Sequence, residues 1–175
     1  MTSESENIKN MAVAEFMTRN VRTVKENESM GRACKLMYQE NIGSIVILRY
    51  DTDANKPGMS DNTVKNETPV GIVTERDVTK MVGFSEKFFA DMPVLAVMSQ
   101  PLITINPDTT LKDAVSLMQQ KNIRRLPVID SKGLMAGIIT AKDIFKPLMK
   151  FFKQVAKEKD LDSDGFDLLG LIGVE

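Results

Sequence analysis

Histidine and tryptophan are missing altogether from these 175 residues, and cysteine occurs once. Without histidine the commonest general base at neutral pH and the commonest zinc ligand are gone. A single thiol cannot close an internal disulfide. No nucleophile beside a base stands out in what remains, so the expectation is a protein that is not an enzyme and needs no cofactor or catalytic metal. Apolar runs fall short of the roughly 18 residues that a bilayer span requires, and the opening MTSESENIKN lacks the basic and apolar regions of a secretory signal. A cytoplasmic location is expected. Neither sign of charge dominates: 23 Lys and Arg face 24 Asp and Glu, a net charge of -1, which leaves no global basic field for nucleic acid. At 42% hydrophobic and 27% charged the chain has the composition of one soluble globular domain.

What is present is a duplication. GIVTERDV from Gly71 to Val78 reappears as GIITAKDI from Gly137 to Ile144. Sliding residues 13 to 48 by 81 positions lays them without a gap on residues 94 to 129, and nine of the 36 pairs are identical, among them Val13/Val94, Met17/Met98, Thr23/Thr104 and Asn41/Asn122. The register then breaks, because 22 residues separate Leu48 from Gly71 and only 7 separate Ile129 from Gly137. Units of about 60 residues are small to bury a core alone, so two copies are expected to pack against each other.

Each half reads strand, helix, strand, strand, helix. In the second, LITI is a short strand, Thr110 is an N-cap with Asp113 three residues on, and Leu111, Ala114, Val115 and Met118 form an inward helical stripe. RRLPVID and MAGIIT are strands joined by a turn at SKG, and AKDIFKPLMKFF opens a helix. The first half repeats the plan with the helix MGRACKLMYQEN, the strands SIVILRY and PVGIVT, and a helix from ERDVTKMV. Cys34 lies on the stripe Met30, Ala33, Cys34, Met37 and reads as a core hydrophobe. The predicted organisation is a disordered 1–10, a first repeat at 11–85 carrying a solvated loop at 50–69, a second repeat at 86–147, and a C-terminal segment at 148–175.

That last segment departs from the repeat. Lysines around Leu148, Phe151, Phe152 and Val155 make a basic amphipathic helix, which reads as a flank or dimer contact, with a membrane surface or a partner as alternatives. The acidic DLDSDG beyond it imitates a calcium loop, but the twelfth position is Leu171 where a bidentate Glu is needed. Asn66, Glu67 and Thr68 match a glycosylation acceptor, which is idle without a secretory route.

The duplicated phrase has two readings. A Thr at a strand end with Asp three residues later is a capping box, complete without any ligand. Alternatively, the helix start and the Thr hydroxyl favour a phosphate while Asp accepts from a ribose diol. The preceding Gly-Ile and the choice of Asp over Glu lean toward the second, since glycine allows close backbone approach.

GIVTERD and GIITAKD, the openings MTRNVRTV and MSQPLITI, and the strands NIGSIVI and NIRRLPVID resemble a tandem pair of CBS domains, regulatory modules named after cystathionine beta-synthase. The likeness runs over about residues 11 to 147. It implies an α+β fold of two βαββα repeats related by a pseudo-twofold axis, with two clefts for adenosine-containing ligands such as AMP, ADP or ATP. It places Asp77 and Asp143 on ribose, Thr74 and Thr140 on phosphate, and Arg124 and Arg125 on phosphate charge, with Arg76 and Lys142 as weaker candidates and Thr23 and Thr104 lining the nucleoside pocket. Gly43 and Ser44 stand in the first repeat where the second has its two arginines, so the clefts should differ. If Asp143 takes the ribose, the arginines are expected to take the phosphate beside it. The resemblance further implies a homodimer and an unknown regulated partner that reads ligand binding. A ligand-free scaffold is the alternative, with the Thr-Asp pairs only capping helices. Nucleic acid is an unlikely partner.

Overall fold

The computed structural model describes residues 9–51, 66–84, 89–146 and Met149. The first repeat shows the full order of strand, helix, strand, strand, helix among the described residues. Strand β1 (Thr23–Lys25) leads to helix α1 (Met30–Gln39), followed by strands β2 (Ser44–Asp51) and β3 (Asn66–Thr74) and helix α2 (Glu75–Phe84). β1 runs parallel to β2, and β2 antiparallel to β3. β3 already begins at Asn66, so the strand pair runs into the stretch whose turn-rich composition suggested a loop from 50 to 69. The second repeat supplies helix α3 (Leu111–Lys121), strands β4 (Arg125–Ile129) and β5 (Met135–Thr140), which pair antiparallel, and helix α4 over 141–146. The amphipathic helix and acidic tail, Phe151 and Phe152 included, lie outside the described residues, as do residues 1 to 8.

The predicted strand LITI is reduced to a single bridge between Ile105 and Val128. Proline is the reason. In the first repeat two backbone bonds flank the equivalent pairing, from the Val46 N–H to the Arg22 carbonyl (3.3 Å) and from the Glu26 N–H to the Leu48 carbonyl (3.1 Å). The residues at those donor positions in the second repeat are Pro127 and Pro107, which have no N–H to give. Only the two bonds centred on Ile105 survive, to Pro127 (3.1 Å) and from Ile129 (3.0 Å).

Local chemistry sets the remaining boundaries. The Ser29 and Thr110 hydroxyls accept from the N–H of Arg32 and Asp113 and so start α1 and α3. Asn41 and Asn122, with φ of 51° and 52°, turn the chain from those helices toward β2 and β4, a left-handed conformation that asparagine tolerates. Gly133 at φ 78° and the Asp130 carboxylate, which accepts from Lys132 and Leu134, close the SKG turn.

The two repeats exchange their leading segments. Val13 and Met17 are buried not in their own repeat but among Leu111, Ala114, Leu126, Val128 and Ile139 of the second. Val94 and Met98 are likewise buried among Val24, Met30, Ile45, Ile47 and Val73 of the first. Backbone bonds repeat the exchange at equivalent positions: Val13 N–H donates to Thr109 and Val94 N–H to Glu28, each at 2.8 Å. Cys34 sits at the margin of the first core, half-buried, where burial pushes its thiol pKa up.

This exchange accounts for the glycines of the repeated phrase. Both β3 and β5 bulge beside them, between Ile47 and Leu48 and between Val128 and Ile129 on the facing strands. A Cβ on Gly137 would stand 2.6 Å from the Met17 sulfur and 2.9 Å from the Thr18 carbonyl oxygen, and one on Gly71 would meet the Met98 side chain. The close approach is therefore to a crossing methionine rather than to a ligand. Gly137→Ala is expected to cost about 1–3 kcal/mol. Gly71→Ala is expected to cost less, because every near neighbour there belongs to a flexible Met side chain, whereas the Thr18 carbonyl is fixed by its bond with Ile138. Denaturant titration of both variants checks the order.

Candidate functional site

Each copy of the phrase runs off a strand into a helix. At the end of β3 the Thr74 N–H and hydroxyl both donate to Asp77 Oδ2, at 2.8 and 2.7 Å. At the end of β5 the Thr140 N–H and hydroxyl donate to Asp143 Oδ2 at 3.1 and 2.6 Å, and the Asp143 N–H donates back to the Thr140 hydroxyl at 3.3 Å. The second is a capping box with Asp in place of the usual Glu or Gln, and the first shows the half of it in which Asp77 accepts from Thr74. The shorter side chain reaches back because its carboxylate accepts from the hydroxyl as well as from the backbone. Each Thr-Asp pair thus has a structural task in place, and only Oδ2 is committed to it.

Beside the first of these caps lies an open cleft of about 320 Å³, lined by Thr74 and Asp77 from one repeat and by Arg124, Arg125, Pro101 and Ile103 from the other. Asn122 turns the chain out of α3 so that both arginines stand at the start of β4. The bridge between Ile72 and Ser99 lays the segment after Ser99 along the end of β3. The arginines therefore face Asp77, and the expectation that paired them with Asp143 is corrected. Distance along the chain misleads here, because the exchange builds the cleft from the strand end of one repeat and the strand start of the other.

Thr140 and Asp143 do not line this cleft. Asp143 Oδ1 instead lies 3.4 Å from Lys146 Nζ, and the positions equivalent to the two arginines are Gly43 and Ser44. Thr23 and Thr104 do not line it either. Thr23 pairs with Val46 in β1, and Thr104 is half-buried next to the bridge at Ile105, while its neighbours Leu102 and Ile103 reach the cleft. Arg76 lines the cleft, whereas Lys142 does not.

Glu75, which the sequence does not single out, lines the cleft with its carboxylate 3.9 Å from the Arg125 guanidinium. Gly43 makes room for that approach, since a Cβ there would collide with the guanidinium and come within 2.8 Å of Glu75 Oε2. Among the described residues, neither Arg124 nor Arg125 makes a side-chain hydrogen bond, and the pair with Glu75 is too long to be one. Their planar donor forks are suited to phosphate or carboxylate oxygens. Three cations (Arg76, Arg124, Arg125) line the cleft with two anions (Glu75, Asp77), an excess of one positive charge. Among the described residues no group of three His, Cys, Asp or Glu could hold a metal ion, and no helix is long and apolar enough to cross a membrane.

The CBS domain model matches the chain twice, over residues 13–57 and 94–150. A protein of Methanocaldococcus jannaschii is 34% identical over 91% of this chain, which spans 37% of that relative's length. Among solved structures, a CBS-domain protein from Burkholderia ambifaria ascribed to signal transduction superposes with a TM-score of 0.64 at 25% identity, over 80% of this chain and 95% of its own. A CBS domain pair solved in complex with 5'-methylthioadenosine and S-adenosyl-L-methionine shares the fold at 22% identity and a TM-score of 0.62, over 79% of this chain and 99% of its own. The two matched segments, each lending its leading turn to the other's core, make this chain a member of the CBS domain family, carrying the domain as a tandem pair.

Proposed function

We propose that this CBS pair is a regulatory module that binds an adenosine-containing nucleotide in the cleft between its repeats and passes the change to a partner. One observation carries the reading: Asp77 and Thr74 of one repeat face Arg124 and Arg125 of the other across a single cleft. Asp77 Oδ1, outside the cap, is the acceptor for a ribose hydroxyl. Arg124 and Arg125 are the donors for phosphate, and the apolar Pro101 and Ile103 are surfaces for the base. A ligand touching both repeats at once would bias how they pack, which is how its presence would reach a homodimer mate or a regulated protein. The adenosyl ligands held by the solved CBS pair described above make adenosine compounds the first to test.

Both Thr-Asp pairs are engaged at helix starts without a ligand, which favours a second reading, a ligand-free scaffold in which Thr74, Asp77, Thr140 and Asp143 only start helices. Calorimetric titration with adenosine, AMP, ATP and S-adenosylmethionine separates the two. Binding of at least one at one site per chain is expected. Absence of heat and of any thermal shift with all four leaves the scaffold.

A further inference from the structure

We infer that Glu75 is the positioning residue that limits how much negative charge the cleft accepts, so that the cleft favours an adenosyl ligand with one phosphate over one with three; this rests on the nucleotide reading above. Arg125 is the only one of the two strand-start arginines with an acidic neighbour within 4 Å among the described residues, at 3.9 Å from Glu75. Its side chain is 28% exposed and that of Glu75 is 71% exposed. The arginine is thus held against the protein, while the acid stands at the water edge, where it is easily displaced.

At 3.9 Å the pair is Coulombic and not hydrogen-bonded, so Arg125 keeps its donors for a ligand while part of its charge is already offset. The missing side chain of Gly43 permits this arrangement, and it is specific to this cleft: the residues equivalent to Glu75 and Gly43 are Ala141 and Arg124. With one net positive charge lining the cleft, a monophosphate, at about −1.5 to −2 near pH 7, exceeds the charge that meets it by less than a triphosphate does. A triphosphate brings charge that Arg125, partly offset by Glu75, cannot fully answer.

Glu75→Gln keeps the shape and both backbone bonds of this residue, from its N–H to Gly43 and from the Thr79 hydroxyl to its carbonyl. Titration calorimetry with adenosine, AMP and ATP on wild type and variant is the test, with melting temperatures to confirm folding. The variant is expected to bind ATP roughly tenfold and AMP about threefold more tightly, and adenosine within about twofold of wild type, because the Arg125 charge that Glu75 no longer offsets attracts a ligand in proportion to the ligand's charge. In an Arg125→Ala background the same change is expected to alter the ATP to adenosine ratio by less than about twofold, since the residue through which Glu75 acts is gone. Unchanged ratios in the single variant, or full charge discrimination surviving without Arg125, overturn the inference while leaving nucleotide binding intact. If wild type binds none of the three, the nucleotide reading fails and this one with it.

Discussion

Asp77→Ala is expected to abolish the rise in melting temperature that an adenine nucleotide confers, and Asp143→Ala to leave it in place. A ligand held at 100 times its dissociation constant adds about 2.7 kcal/mol to the folded state. For a domain of this size each kcal/mol is worth about 2–4 °C, so the lost shift is well resolved by scanning calorimetry. Both variants lose a carboxylate that accepts from the Thr N–H and hydroxyl at a helix start, at about 1 kcal/mol each, and therefore serve as each other's control for intrinsic stability. What separates them is position: Asp77 faces the two arginines, and Asp143 has Lys146 at 3.4 Å and no arginine pair at the equivalent strand start. A thermal shift that persists in Asp77→Ala and vanishes in Asp143→Ala would return the site to the other cleft.

Leu126→Ala is expected to cost about 2–5 kcal/mol and to lower the stability of both halves together. Leu126 is fully buried and shares its core with Val13 and Met17, which belong in sequence to the first repeat. When that core loosens, the leading turn of the first repeat loses its seat. The second repeat's Val94 and Met98 are anchored in the first core by the same device, so neither half can open while the other stays closed. One cooperative transition is expected for wild type and variant, at a lower denaturant midpoint in the variant and with the same slope. A biphasic curve in which one phase keeps the wild-type midpoint would show that the halves unfold separately.

Local chemistry was legible in the sequence. The Thr110 cap, the turn at SKG and the helical stripes through Met30, Ala33 and Met37 and through Leu111, Ala114 and Met118 all follow from neighbours within a few residues, and the structure has them. The ungapped self-match foretold two similar halves. Features decided between the halves were not legible. Nothing in GIVT or GIIT says that its glycine will meet a methionine arriving from the other repeat, because Met98 lies 27 positions after Gly71 and Met17 lies 120 before Gly137, and they meet only once the segments cross. The same crossing put Arg124 and Arg125 opposite Asp77, where a reading confined to one repeat had set them beside Asp143. The shortened strand at Ile105 was readable in principle, since Pro107 and Pro127 are visible, but only once the ladder partners were known to need those two N–H groups.

Those two prolines also bear on how the protein behaves in a crowded solution. A thinned strand pair is a template on which a stray strand from another molecule can dock, since unpaired backbone groups along a sheet edge invite further pairing. In the second repeat, the positions where the first repeat offers Val46 and Glu26 as donors carry rings without an N–H. An incoming strand finds no ladder to extend there. The prolines that shorten pairing within the molecule thereby withhold from a stray strand the two donors that the shortened pair would otherwise have left unpaired.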